Sequence, residues 1–104
     1  MYKFKLNKFQ ESYAFLWDNK DETIEVINQY LKEVKGDNWS VGRCWNEKTE
    51  KNDSDTLFVS EKDGPYTSNT FFKIGEYVLH TKEGYLHPYC EKDLAKNNIE
   101  LVKL

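Results

Sequence analysis

The chain has 104 residues, of which 38% are hydrophobic and 32% charged, and its formal net charge is −3. At this length, residues 1–104 are expected to form a single domain. The negative charge, with Arg43 as the one arginine among 15 basic residues, argues against general nucleic-acid binding, which needs clustered positive charge. No apolar run approaches the roughly 18 residues that cross a membrane, and no signal peptide precedes the first strand. We therefore expect no membrane association and an intracellular domain with reduced thiols.

Two segments near the N-terminus predict β-strands. Residues 2–6 and 13–17 place large apolar side chains at every second position, which is the periodicity of a strand. In the second segment both faces are apolar, because its aromatic residues alternate with Ala14 and Leu16. A strand of this kind is expected to be covered on both sides.

Residues 22–35 predict the main helix. Its apolar residues are spaced i, i+3, i+7 and i+10 and form one stripe, which consists of Ile24, Ile27, Leu31 and Val34. Gly36 follows as a residue suited to the C-terminal cap. A helix with a single apolar face is expected to lie across a sheet.

The remainder of the chain predicts β-structure. Strands are expected at 39–45, 56–60, 71–80, 85–87 and 99–104, and a helical turn at 91–97. Turns are expected at 62–65 and 82–84, with a bend at Gly75. Residues 46–55 are wholly polar or charged and predict a mobile loop.

This order of elements predicts an α+β domain: a small, mostly antiparallel sheet with one main helix packed across it. The predicted core consists of large apolar residues on the inward phase of each period. They are Phe4, Phe15, Trp17, Ile24, Ile27, Leu31, Val41, Phe58, Val78 and Leu94.

Trp39, Arg43 and Trp45 form the best local candidate for a ligand site, because the alternation of residues 39–45 places them on one side of a strand. A tryptophan ring can stack on a base, and a guanidinium can form a forked contact with a phosphate. The alternative interpretation is two core tryptophans with an arginine extended between them. Tyr66, in a loop rich in hydroxyl and amide groups, is a second possible contact.

The sequence contains no pattern that predicts catalysis, a cofactor or a metal. His80, His87, Cys44 and Cys90 are the available soft ligands, and they lack the spacing of a zinc site. No local sequence marks either cysteine as an activated nucleophile. The carboxylates lie in polar stretches, where desolvation would not raise the pKa. We therefore expect a protein that is not an enzyme.

Residues 12–19 read S-Y-A-F-L-W-D-N, and residues 75–94 read G-E-Y-V-L-H-T-K-E-G-Y-L-H-P-Y-C-E-K-D-L. These two stretches resemble a family of small phage and prophage proteins of unassigned activity. The family begins with a strand like V-E-A-F-Q-W-D-G and ends in G-D-Y-I-V-x-x-x-x-G-E-x-Y-P-C-x-P-D-x-F. The chain departs from it by lacking the early Glu and Gln and the second Pro, and by placing its cysteine two residues after Pro88.

The resemblance implies a phage-encoded accessory protein that acts in the cytoplasm of the bacterial host. Counter-defence by stoichiometric binding is the expected role, either by blocking a host defence protein or by sequestering a small nucleotide-like signal. Sequestration would fit a homo-oligomer, because such sites often lie between subunits. Two alternatives remain open: a minor structural or assembly module of the virion, and a small hydrolase.

Overall fold

A computed structural model of the chain describes the backbone of residues 2–7, 10–80 and 86–104. It confirms the α+β class and the main helix, and it divides the strands between two antiparallel sheets where one was expected. The elements in chain order are β1 (Tyr2–Asn7), β2 (Gln10–Leu16), α1 (Asp21–Lys35), a 3-10 turn (Gly36–Asn38), β3 (Trp39–Arg43), β4 (Leu57–Asp63), β5 (Tyr66–Phe72), β6 (Tyr77–His80), β7 (Leu86–Tyr89), α2 (Glu91–Lys96) and β8 (Val102–Lys103).

The two sheets contain different parts of the chain. The five-stranded sheet has the order β7-β6-β2-β1-β8, and the three-stranded sheet has the order β3-β4-β5. Every pairing is antiparallel. The chain passes from the second sheet back to the first through Gly75, whose φ of 90° places it in the left-handed region that favours glycine.

Helix α1 has a polar anchor at each end. The Asp18 carboxylate accepts hydrogen bonds from the Lys20 N–H at 3.1 Å and from the Thr23 hydroxyl at 2.7 Å. At the other end Gly36 has a φ of 80°, and its N–H donates to the carbonyl of Lys32. These bonds satisfy backbone groups that a helix end leaves unpaired, and they confirm the predicted C-terminal cap.

Strand β2 is covered on both faces, as its alternation predicted. The core on one face joins α1 to both sheets and consists of Phe15, Trp17, Ile27, Leu31, Trp39, Leu57, Val59, Phe72 and Val78. The core on the other face packs the five-stranded sheet against α2 and the C-terminal segment and consists of Phe4, Ala14, Leu79, Leu94 and Ile99. We call the first of these the shared core.

Most predicted core positions are buried, with three exceptions. Ile24 and Val41 are partly buried and pack against the shared core. Phe58 is half-buried, and its assignment to the core was wrong. Leu57 and Val59 point into the shared core, so the residue between them must point to the opposite face of the strand.

Three other segments were expected to be loops or turns. Residues 66–69 belong to β5, where a loop was expected. The loop predicted at 46–55 lies between β3 and β4, and within it the Asn46 N–H donates to the carbonyl of Lys51 at 2.8 Å. The expected turn at 82–84 lies outside the described residues. Among the helices described, none is long and apolar enough to cross a membrane.

Replacing Ile27 with Ala should lower the free energy of unfolding by about 2–5 kcal/mol, because Ile27 is fully buried and its loss leaves a cavity in the shared core. Val34→Ala is the matched control. Val34 lies on the same helix but is about half exposed, so its truncation should change stability by about 0.5 kcal/mol or less. Urea denaturation measures both variants. Equal losses would contradict the assigned inward face of α1.

Candidate binding surface

Arg43 lies at the end of β3 and joins three parts of the chain. Its Nε–H and one Nη2–H donate to the Asp21 carboxylate at 3.1 and 3.0 Å. The other Nη2–H donates to the carbonyl of Asn19 at 2.9 Å, and the Nη1 group donates to the Asn19 side chain and to the Ser54 carbonyl. The guanidinium carbon also lies 5.2 Å from the centre of the Trp17 ring, within the range of a cation–π contact.

This network uses all the hydrogen-bonding capacity of Arg43. A guanidinium has five N–H donors, and five hydrogen bonds are present. A phosphate could bind Arg43 only by displacing contacts that fix the start of α1 against the turn between β3 and β4. Arg43 is therefore a structural residue, and its place on an otherwise apolar strand face is explained by the Trp17 ring beneath it.

The other predicted ligand residues are not gathered around Arg43. Trp39 is buried in the shared core, so its ring is unavailable for stacking on a ligand. Trp45 is 58% exposed just beyond β3, and Tyr66 is 78% exposed at the start of β5. Arg43 pairs with Leu57 and Tyr66 pairs with Asp63, so about six residues of β4, roughly 20 Å, separate the two ends of the sheet.

The face of the three-stranded sheet that points away from the shared core carries two phenylalanines. We call it the outer face. Gly42, Phe58 and Phe71 are directly opposite one another on the three strands. A Cβ on Gly42 would lie 3.3 Å from the Phe58 ring, so that ring covers the glycine. Phe71 beside it is 57% exposed. An apolar strip therefore crosses one end of the outer face, where β4 begins and β5 ends.

The rest of the outer face is small and polar. Ser40, Ser60 and Asn69 form the next row across the three strands, and Lys62 and Thr67 follow on β4 and β5. These side chains are exposed or half-buried. Two aromatic rings flanked by hydroxyl, amide and ammonium groups combine the apolar and polar groups that protein-binding surfaces contain.

Two shallow cavities are lined by residues that the structure describes. One, of about 250 Å³, is lined by Tyr2, Phe15, Leu16, Asp18, Glu22, Thr23 and Val26. The other, of about 180 Å³, is lined by Asp37, Asn38, Trp39, Ser40, Ser60 and Lys62 and adjoins the outer face. Both are smaller than the roughly 300–1,000 Å³ of typical small-molecule sites. Their size favours a flat contact over enclosure of a nucleotide.

Tyr30 and His80 form a buried polar pair between α1 and β6. The Tyr30 hydroxyl lies 2.8 Å from His80 Nδ1, and the Tyr30 ring also contacts the rings of Tyr13 and Phe15. Burial, together with the neighbouring Tyr13 phenol, raises the pKa of Tyr30 to about 12. The phenol therefore stays protonated at neutral pH, and the pair joins the helix to the sheet.

The two cysteines lie in different surroundings. Cys44 and Cys90 are free and half-buried. Burial raises the pKa of the Cys44 thiol, which reduces its thiolate fraction. The Cys90 thiol and N–H both donate to the Asp93 carboxylate at 3.2 Å, which lowers the pKa of Asp93 and anchors the start of α2. Within the described residues, no group of three or more His, Cys, Asp or Glu could hold a metal ion.

Comparison with known proteins gives no relative from which a function could be inferred. No family model matches the chain, and neither the curated proteins nor the solved structures contain a match.

Arg43→Lys should lower the free energy of unfolding by about 1–3 kcal/mol, because lysine keeps the positive charge but cannot reach Asn19, Asp21 and Ser54 together. Asp21→Asn is the control. The Asp21 side chain is 84% exposed and an amide oxygen still accepts, so a loss below about 1 kcal/mol is expected. Full stability of Arg43→Lys in urea would contradict the structural role.

Tyr30→Phe should remove part of the pH dependence of stability above pH 10. The pKa of Tyr30 is raised from 10 to about 12 on folding, so the folded state holds the proton more tightly and stability falls as pH rises between these values. The exposed Tyr66→Phe is the matched control and should leave that slope unchanged. Urea midpoints measured across this pH range give both slopes, and identical slopes for wild type and Tyr30→Phe would refute the assignment.

Proposed function

We propose that this chain is a phage-encoded accessory protein that binds a host protein stoichiometrically through the outer face and thereby blocks a host defence. The observation that carries the binding surface is the exposed Phe71 beside Phe58 at one end of that face. The phage origin and the counter-defence role rest on the resemblance of residues 12–19 and 75–94 to small phage proteins. The host cytoplasm is the corresponding site of action.

The outer face has the physical properties that hot spots in protein interfaces require. Aromatic side chains dominate binding energy when a polar rim excludes water around them. Phe71 supplies exposed ring area, and the Phe58 ring is already fixed against Gly42. Because the neighbouring residues of the sheet are small, a partner can approach both rings closely.

A protein partner is favoured over the alternative of a sequestered nucleotide. Arg43, the residue best suited to a phosphate, has every N–H donor engaged within the chain. Trp39, the best stacking ring, is buried. The two cavities described are also smaller than typical small-molecule sites. The Tyr30–His80 pair and the thiols of Cys44 and Cys90 serve as structural contacts, which is consistent with a protein that acts by binding alone.

Phe71→Ala should weaken binding to the host partner at least about tenfold, because truncating a central interface aromatic typically costs more than 1.4 kcal/mol. Trp45→Ala is the matched control. Trp45 is an equally exposed aromatic residue, but it lies beyond the end of β3 and in the opposite phase of the strand. The host partner is captured from lysate by pull-down. Its affinity for wild type, Phe71→Ala and Trp45→Ala is then measured by titration.

Two results would contradict the proposal. One is a captured protein that binds Phe71→Ala and wild type equally while Trp45→Ala binds weakly. The other is native mass spectrometry of protein purified from bacterial cells that shows a retained nucleotide-sized adduct, which would favour sequestration.

A further inference from the structure

Strand β5 forms one edge of the three-stranded sheet, and its sequence contains nothing that blocks pairing with another strand. Its seven residues, Y-T-S-N-T-F-F, include no charge, proline or glycine. Sheet proteins usually protect an edge with lysine, proline, a bulge or a short strand. Residues 66–69 are all exposed, although β7 also contacts β5.

The other sheet edges in the described part of the chain carry such protection. Strand β7 contains Pro88, which lacks an N–H donor. Strand β8 has two residues, one of them Lys103. Strand β3 contacts α1 and ends at Arg43. Among the edge strands described, β5 therefore stands apart as a long and neutral strand whose sequence lacks these protective features.

The hydrogen bonding of β3 and β4 shows which backbone groups face each neighbour. The Cys44 N–H donates to the Thr56 carbonyl at 2.9 Å, which continues the register of the β3–β4 ladder by one pair. Hydrogen-bonded and non-hydrogen-bonded pairs alternate along an antiparallel ladder. The even-numbered residues of β4 therefore face β3, and its odd-numbered residues face β5.

The register between β4 and β5 then identifies the groups at the open edge. Val59 is paired with Thr70, so the even-numbered residues of β5 direct their N–H and C=O groups toward β4. The backbone groups of Thr67, Asn69 and Phe71 point away from the sheet. Three donors and three acceptors are thus aligned along the edge, at every second residue.

We propose that β5 pairs antiparallel with β5 of a second copy of this chain, about a twofold axis at Asn69. This register pairs Asn69 with its own counterpart and Thr67 with Phe71 in both directions. In this register Thr67, Asn69 and Phe71 all belong to hydrogen-bonded pairs. Each copy contributes three N–H donors and three C=O acceptors, so six hydrogen bonds are expected across the seam. A register centred on Ser68 would instead oppose Phe71 to Pro65, which has no N–H.

The side chains of β5 suit this self-pairing. The strand has no charge, so the seam brings no like charges together despite the net charge of −3 on each chain. On the outer face each Phe71 ring would lie beside a Thr67 of the other copy, and the two Asn69 amides would be adjacent. Aromatic–β-branched cross-strand pairs are favourable. The two outer faces would become one six-stranded surface.

The test is the mass in solution of wild type and Asn69→Pro, measured by sedimentation equilibrium. An interface of one strand pair is small, so the wild-type mass should rise from 12.4 kDa toward twice that value between about 10 µM and about 1 mM. Asn69→Pro removes an N–H that faces outward and leaves the bonds to β4 intact, so it should stay monomeric.

Two further variants keep the test independent of folding defects. Asn69→Lys alters no backbone donor but places two ammonium groups together at the axis, and it should weaken association at least about tenfold. Asn69→Thr is the matched control and should associate like wild type. Amide hydrogen exchange gives a residue-level readout: the N–H groups of Thr67, Asn69 and Phe71 should gain protection with concentration, whereas that of Thr70 should be protected throughout.

The proposal is overturned if wild type stays at 12.4 kDa up to about 1 mM, where even a weak pair would form. It is equally overturned if Asn69→Pro and Asn69→Lys associate like wild type. This outcome is separate from the proposed function, because Phe71→Ala can abolish binding to a host protein in a monomer. Conversely, self-pairing through backbone groups can occur in a protein that has no host target.

Discussion

The packing of Trp17 is the interaction on which the arrangement of the two sheets depends. Its side chain is fully buried in the shared core, and its indole N–H donates to the carbonyl of Asp55 at 2.7 Å. Its backbone N–H and carbonyl bond to Glu76 and Gly75. The guanidinium of Arg43 lies over its ring. One residue thus links the end of β2 to the start of β4, the approach to β6 and the end of β3.

This linkage determines which face of the three-stranded sheet is free. With β2 and α1 packed on the inner face, Leu57, Val59 and Phe72 are committed to the shared core. The alternation of a strand then places Phe58 and Phe71 on the outer face. The same residues that stabilise the fold therefore leave an aromatic strip and a neutral edge strand exposed. The proposed host contact uses side chains of the outer face and the proposed self-pairing uses backbone groups of β5, and Phe71 belongs to both.

The sequence predicts those features that depend on local periodicity. The inward-facing Ile27 and Leu31 of α1, its Gly36 cap and the two apolar faces of β2 follow from spacing alone, and the structure confirms each of them. Val34, the last residue of the predicted stripe, is about half exposed. Division into two sheets depends on long-range pairing that no local pattern records. Strand β5 was missed because its first five residues, Y-T-S-N-T, have the polarity of a loop.

The predicted ligand site could not be resolved from sequence for a related reason. Trp39 and Arg43 share a strand face, but their roles depend on distant residues: the shared core takes up the Trp39 ring, and Asn19, Asp21 and Ser54 bind Arg43. Phe58 was assigned to the core because residues 57–59 are all apolar, so the alternation of the strand does not show which of them point inward. The one signal that could have found the outer face is the Phe71–Phe72 pair, since adjacent strand residues point to opposite faces.

The three-stranded sheet buries one face and leaves Phe71 exposed beside the half-buried Phe58 on the other. NMR of fluorophenylalanine-labelled protein with a soluble paramagnetic probe measures this exposure. We expect strong attenuation of the Phe71 signal, partial attenuation of Phe58, and little effect on Phe15 and Phe72. A Phe71 signal as protected as that of Phe72 would instead show that the outer face is covered.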